Sequence, residues 1–85
     1  PAHSSSVFTR DLEVGMTGDD VKALQAWLNA HGFAVAVSGA GSAGMETTLF
    51  GSLTKAAVAR FQAANGISAI GRMGPMTRAA IASMK

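Results

Sequence analysis

Apolar side chains recur at helical spacing in three stretches of the chain, which therefore predict three amphipathic helices. The first helix is expected from about Asp19 to His31, the second over 52–64 and the third over 75–84. The residues expected to face inward are Val21, Leu24, Leu28, Leu53, Ala57, Phe61, Ala64, Met76, Ala80, Ile81 and Met84. Because each helix has one apolar face, the three together predict a mainly α fold, a compact three-helix bundle.

Two stretches outside these helices carry weaker signals of secondary structure. Ser6 is suited to cap a short helical turn from Val7 to Leu12. Large and small side chains alternate over 33–37, as in a short strand, and residues 47–50 are suited to return beside it. A small β-hairpin is therefore predicted between the first and second helices.

One eight-residue pattern occurs at the start of both the second and the third helix. Residues 51–58 read GSLTKAAV, and residues 74–81, 23 positions later, read GPMTRAAI. The glycine allows a sharp turn into the helix, and the alanines let helices approach closely. The threonine either accepts hydrogen bonds from N–H groups of the first turn or packs its methyl group inward. The repeat therefore indicates helix starts and helix packing rather than catalysis.

The composition limits the chemistry open to this chain of 85 residues. It has no cysteine, so it has neither a disulfide framework nor a thiolate metal site, and its two histidines need carboxylates to bind zinc. No Ser-His-Asp set or pair of acids stands at a recognisable spacing. We therefore expect no catalytic residue, no metal and no cofactor. His31 falls in the last turn of the first helix, where the helix dipole favours a positive charge.

Charge is distributed unevenly along the chain. All five acidic residues precede position 47, and the later part of the chain carries basic residues alone. Those residues are Lys55, Arg60, Arg72, Arg78 and Lys85. This cationic half favours an anionic partner. Nucleic acid is not expected, because no basic cluster interleaves with aromatic residues, and no apolar run reaches the roughly 18 residues needed for membrane insertion.

Three ordered motifs resemble those of the peptidoglycan-binding-like domain family. Residues 15–28 follow the family pattern G-x-x-G-x-D-V-x-x-L-Q-x-x-L, residues 50–62 follow F-G-x-x-T-x-x-A-V-x-x-F-Q, and residues 71–77 follow G-x-[VF]-G-x-x-T except at Met73. The resemblance assigns residues 7–85 to one such domain. Residues 1–6 are interpreted as a linker or cloning remnant, and the chain as a mature or excised module.

The resemblance implies a non-catalytic three-helix module that anchors a bacterial protein, secreted or in the cell envelope, to the glycan strand or stem peptide of peptidoglycan. A groove with hydrogen-bond donors, an aromatic wall and positive charge suits this polymer. The candidate ligand-binding residues are Arg72, Phe50, Trp27, Gln62 and Asn65. Arg72 is expected to clamp a carboxylate. The alternative roles, which the residue types favour for Phe50, Gln62 and Asn65, are the core for Phe50, local backbone caps for Gln62 and Asn65, and the boundary of the first helix for Trp27.

Two departures from the family pattern support an alternative function. The connection over 34–49 is longer than usual, and Met73 replaces a valine or an aromatic residue. Exposed methionines beside an arginine are typical of protein–protein contacts. The candidate interface residues are Met45, Ile70, Arg72, Met73 and Met76. The alternative is therefore a protein-interaction module, either a natural adaptor or an engineered binder on this scaffold.

Overall fold

The structure of this chain is a computed structural model that describes residues 8–84, and these residues form three helices. Helix α1 spans Asp19–Ala30, α2 spans Ser52–Ala64 and α3 spans Pro75–Met84. The predicted helices and the mainly α fold are confirmed, with α1 one residue shorter than expected. The linker predicted over 1–6, with the cap at Ser6, lies outside the described residues, as does the side chain of Met84.

The N-terminal strap, residues 8–14, is not helical, so the helical turn predicted up to Leu12 was wrong. Leu12 instead forms an antiparallel bridge with Met73, which lies two residues before the start of α3. The N–H of Leu12 donates to the carbonyl oxygen of Met73 at 3.1 Å, and the N–H of Met73 donates back at 2.8 Å. A helical turn is excluded because these backbone groups are used in a long-range pairing.

A core of aliphatic and aromatic side chains joins the helices to the strap. Its members are Leu12, Val21, Leu24, Leu28, Val35, Phe50, Ala57, Val58, Phe61, Met73 and Ile81. The inward face predicted for α1 is confirmed, because its three predicted residues are completely buried. Trp27 lies at the edge of the core, as expected of a boundary residue, with its ring edge-on to Phe61 at a centroid distance of 5.2 Å.

The inward face of α2 is rotated from the predicted one. Leu53 and Ala64 are exposed, whereas Thr54 and Gln62 are 2% and 1% exposed. The other two residues predicted to face inward are completely buried, so the prediction was wrong only for Leu53 and Ala64, because hydropathy assigns polar side chains to the outside. Thr54 and Gln62 are buried since their polar groups are hydrogen-bonded to neighbouring segments.

The same shift occurs in α3. Met76, predicted to face inward, is exposed, and the next residue, Thr77, is buried in its place. Ile81 is buried as predicted, and Ala80 packs against the core. The polar threonine of each repeat copy is therefore closer to the core than the apolar residue before it.

The connection between α1 and α2 does not form the predicted hairpin, and no strand occurs elsewhere in the described range. The N–H of Val35 donates to Oδ1 of Asn29 at 2.8 Å, and the N–H of Thr47 donates to Oε1 of Gln25 at 2.6 Å. Side chains of α1 bind these backbone groups, and residues 48–50 pair with residues 15–18 through an antiparallel bridge between Thr17 and Leu49. Residues 33–37 and 47–50 therefore do not pair with each other.

Candidate functional site

The turn that precedes α3 is held by the buried side chain of Gln62. Its Nε2 donates to the carbonyl oxygen of Arg72 at 2.8 Å and to Oγ1 of Thr77 at 3.0 Å. Its Oε1 accepts a hydrogen bond from the N–H of Gly71 at 2.9 Å. A single amide of α2 therefore fixes both the backbone of the turn and the first turn of α3.

The turn that precedes α2 is held in the same way by Gln25 of α1. Its Nε2 donates to the carbonyl oxygen of Leu49 and to Oγ1 of Thr54, each at 3.0 Å. The threonines of the repeat thus accept hydrogen bonds from the glutamine of the preceding helix. The sequence predicted either a cap of the helix's own first turn or an inward methyl group for these threonines. It did not predict a hydrogen bond from a side chain of another helix.

Arg72 lies in the turn before α3 and faces the strap. Its Nη2 is 2.9 Å from Oδ2 of Asp11, and its Nε is 3.2 Å from Oε1 of Glu13. The other carboxylate oxygen of Asp11, Oδ1, lies 3.0 Å from Nη2 of Arg78. The charge of Arg72 is therefore compensated and its position is fixed, although 44% of its side chain is still exposed.

A groove of about 310 Å³ lies between this turn, the strap and α2, and we call it the Arg72 groove. Its lining residues are Glu13, Val14, Lys55, Ile70, Gly71 and Arg72. Val14 and Ile70 are 53% and 59% exposed. The groove therefore presents apolar surface beside charged groups, which is the combination that a ligand of mixed polarity needs.

Lys55 of α2 packs against the backbone of Gly71 at one wall of this groove. A Cβ atom at Gly71 would overlap Cγ of Lys55 and lie 3.1 Å from its carbonyl oxygen, and Gly71 has a φ of +78°. Only glycine has no Cβ atom to collide with Lys55 and adopts this positive φ without strain. Lys55 is not among the site residues predicted from the sequence, although it occupies the basic position of the repeat, where Arg78 stands in the second copy.

The other candidate ligand-binding residues do not line the Arg72 groove. Phe50 and Gln62 are buried and offer no contact surface: Phe50 belongs to the core, which was its alternative role, and Gln62 binds the backbone of the turn. Asn65 caps α2, since its Nδ2 donates to a backbone carbonyl oxygen of that helix at 2.9 Å. Trp27 stacks on His31 with a centroid distance of 4.0 Å.

One of the predicted interface residues, Met73, is not at the surface. Met73 is completely buried in the core, because its backbone bridge to the strap turns its side chain away from solvent. Met45 and Met76 are exposed, and they line neither groove described here. Ile70 is exposed and lies in the Arg72 groove with Arg72 itself.

A second groove, of about 210 Å³, lies beside the first turn of α2. The half-exposed side chains of Leu49 and Leu53 line it, together with Val35 and Thr47. None of the described residues that line this groove is charged. It therefore offers apolar contact and hydroxyl groups, but no ionic contact.

Two carboxylates outside the grooves are stabilised as anions. Nε of Arg10 lies 2.8 Å from Oδ2 of Asp20, and this hydrogen bond lowers the pKa of Asp20 below its usual value. The amide of Asn29 donates to Glu46 at 3.0 Å and lowers the pKa of Glu46. The first contact ties the strap to α1, and the second ties the α1–α2 connection to α1.

The described residues contain neither a cluster suited to a metal ion nor a helix suited to span a membrane. Within residues 8–84, no three His, Asp or Glu side chains are grouped closely enough to bind a metal ion. None of α1, α2 and α3 has the length and apolar character needed to cross a bilayer.

Comparisons with known proteins give the family of this chain. The family described as "Putative peptidoglycan binding domain" matches residues 17–81. The crystal structure of a peptidoglycan-binding protein from Clostridioides difficile, in complex with glutamine hydroxamate, is similar to this chain with a TM-score of 0.72 and 33% sequence identity. The similarity covers 89% of this chain and 42% of that one. A comparison with curated proteins gives no match. The chain belongs to the peptidoglycan-binding domain family, as its motifs indicated.

Proposed function

We propose that this domain is a non-catalytic module that anchors a protein to bacterial cell-wall peptidoglycan, in the cell envelope or outside the cell. Membership in a family of binding domains supports this proposal. The similar solved structure is also that of a peptidoglycan-binding protein, of which this chain spans less than half. The surface that we assign to wall binding is the Arg72 groove.

The composition of the Arg72 groove is the observation that carries this assignment. It combines the apolar side chains of Val14 and Ile70 with the cations Lys55 and Arg72. Peptidoglycan presents sugar hydroxyls, amides and carboxylates close together, so its binding site needs apolar contact, hydrogen-bond donors and positive charge in one place. The second groove meets only part of this requirement because its lining residues are uncharged.

Arg72 supplies hydrogen-bond donors to this groove. A guanidinium carries five N–H donors, and the contacts to Asp11 and Glu13 involve two of its three nitrogen atoms. The exposed part of the side chain leaves donors for sugar hydroxyls or amide carbonyls. Since the two carboxylates hold Arg72 in place, these donors are ordered before a ligand arrives, which lowers the entropic cost of binding.

Cosedimentation with purified insoluble peptidoglycan tests the proposal. We expect the wild-type domain to sediment with the polymer and Arg72→Ala to bind about fivefold more weakly. Arg60→Ala is the matched control, because it removes another exposed arginine, in α2, that does not line the groove. Equal losses in the two variants contradict the assignment of the groove, and a wild-type domain that stays in the supernatant contradicts wall anchoring.

A protein-interaction module is the second candidate function, and the exposure of Met45, Ile70 and Met76 supports it. Flexible methionine side chains adapt to varied partner surfaces. Sedimentation velocity checks this alternative. Self-association that is reduced by Met76→Ser, in a domain that peptidoglycan does not retain, favours a protein partner over the wall.

A further inference from the structure

We infer that the Arg72 groove takes a free carboxylate of the peptide part of peptidoglycan, and that Lys55 holds this carboxylate while Arg72 is a positioning residue. The inference rests on the proposed function, because it names the component of the wall that the same groove binds. It also differs from the sequence-based expectation, in which Arg72 itself clamps the carboxylate.

The distribution of charge around the groove gives the first argument. Asp11 pairs with both Arg72 and Arg78, at 2.9 and 3.0 Å, and Glu13 pairs with Arg72 at 3.2 Å. Lys55 lines the same groove and has no part in the ion pairs found within residues 8–84. Two carboxylates thus face three cations, and the excess positive charge lies at Lys55. One ligand carboxylate completes this balance.

The existing ion pairs also make Arg72 a poor site for another anion. A ligand carboxylate that approaches its guanidinium has to displace Asp11 or Glu13, or else remain beside them and be repelled. A carboxylate that approaches Lys55 replaces water alone. The anionic group of the ligand is therefore directed to the α2 side of the groove, and neutral acceptors are directed to Arg72.

The position of Lys55 gives the second argument. Its methylene chain lies over Gly71, with Cε 3.2 Å from the place that a Cβ atom there would occupy. This contact restricts the side chain, so less conformational entropy is lost when the ammonium binds an anion. Gly71 in turn is held by its N–H bond to Gln62. The cation is thus placed on a fixed part of the fold.

The apolar lining gives the third argument and defines the rest of the ligand. Ile70 is the neighbour of Gly71 in the same turn, and Val14 lines the groove from the strap. About half of each side chain is exposed, which is enough to contact a group of the size of a methyl. The ligand that these features fit is a peptide carboxylate next to a small apolar side chain, such as a terminal alanine.

Three soluble probes test this inference by NMR titration of the wild-type domain. They are N-acetyl-D-alanyl-D-alanine, its C-terminal amide and N-acetylmuramic acid, which carries its carboxylate on the sugar. We expect the free dipeptide to shift the amide signals of Lys55, Ile70 and Gly71, with a dissociation constant in the range of about 1 mM. The C-terminal amide is expected to bind about fivefold more weakly, because it lacks the charge.

Variants of Lys55 then identify the cation. Lys55→Met keeps the packing on Gly71 but removes the charge, and it is expected to bind the free dipeptide and the amide equally. Lys55→Arg is expected to restore the preference for the free dipeptide. Lys22→Met is the matched control, because it removes an exposed lysine of α1 that lines neither groove.

Three results overturn the inference: equal binding of the free and amidated dipeptide, stronger binding of N-acetylmuramic acid, or a preference that persists in Lys55→Met. Absence of shifts up to about 10 mM dipeptide overturns it as well. Retention of the wild-type domain on insoluble peptidoglycan is measured in parallel. If retention persists while any of these results is found, the carboxylate assignment fails and wall binding stands. If retention is absent, the proposed function itself fails.

Discussion

Gln62 and Thr77 are joined by a hydrogen bond of 3.0 Å between two buried side chains. An equivalent bond, also of 3.0 Å, joins Gln25 to Thr54. The repeat in the sequence is therefore a repeat of tertiary contacts, in which a glutamine of one helix holds the threonine in the first turn of the next. This explains why a polar residue stands at a buried position in both copies.

Replacement of Gln62 by leucine is expected to destabilise the domain by about 3 kcal/mol. The variant leaves the N–H of Gly71, the carbonyl of Arg72 and the hydroxyl of Thr77 without this partner in a buried region. Urea unfolding measures the change in the free energy of unfolding. Asn65→Ala is the control, because it removes an exposed amide with one local hydrogen bond and should cost about 1 kcal/mol or less. Similar costs for the two variants contradict the role of Gln62.

Gly71→Ala is expected to cost about 3 kcal/mol, more than the same change at Gly66. Both glycines have a positive φ, +78° and +71°, but a Cβ atom meets Lys55 at position 71 and nothing within 4 Å at position 66. Gly66→Ala should therefore show the backbone strain alone, about 1 kcal/mol. Thermal unfolding of the two variants measures the difference. If the costs are equal, Lys55 is not packed on Gly71 as described.

Met73→Ala and Met76→Ala are expected to have very different effects, although the sequence places both in one apolar patch. Met73 is completely buried, so its truncation should cost about 2–4 kcal/mol. Met76 is 69% exposed, and its truncation should change the free energy of unfolding by about 0.5 kcal/mol or less. Guanidinium unfolding of both variants checks this. If Met73→Ala lowers the free energy of unfolding only slightly, Met73 is not buried as described.

The ion pair of Arg10 and Asp20 is expected to make the stability of the domain depend on pH in the acid range. Because the pKa of Asp20 is lowered in the folded state, the contribution is complete above the unfolded value, about 4, and is lost as the pH falls through the folded value. Arg10→Ala should raise the pKa of Asp20 and weaken this acid dependence. NMR titration of the Asp20 carboxyl group provides the measurement, with Arg60→Ala as the control. An unchanged titration of Asp20 in Arg10→Ala rules out this account.

The helices could be predicted from the sequence because apolar spacing and glycine positions are local properties. The choice of inward face in α2 could not, since Thr54 replaces Leu53 in the interior only because Gln25 of another helix reaches it. The hairpin does not form because Asn29 and Gln25 bind the backbone of the α1–α2 connection and because residues 48–50 pair with residues 15–18 instead. Such hydrogen bonds between distant residues are not visible in the hydropathy pattern of a single helix.

Of the residues that line the Arg72 groove, the sequence predicted only two, Ile70 and Arg72, which lie in the turn before α3. Arg72 and Ile70 follow from the position of the turn before α3, and both line the groove. Lys55 and Arg78 occupy equivalent positions of the repeat, yet Arg78 pairs with Asp11 and Lys55 lines the groove. The difference arises because the strap brings Asp11 to Arg78 and not to Lys55. The position of the strap against the segment before α3 is a tertiary contact, and the sequence motifs do not predict it.

We claim that the Arg72 groove is the surface that binds peptidoglycan, and a matched pair of variants in cosedimentation with insoluble peptidoglycan checks this. Ile70→Asp places an anion in the Arg72 groove, and Leu53→Asp places one in the second groove at a side chain of similar exposure, 55% against 59%. Thermal unfolding confirms that both variants remain folded. We expect Ile70→Asp to lose about tenfold in affinity and Leu53→Asp to bind like the wild type. Loss of binding in Leu53→Asp with full retention of Ile70→Asp would contradict the claim and move the binding surface to the second groove.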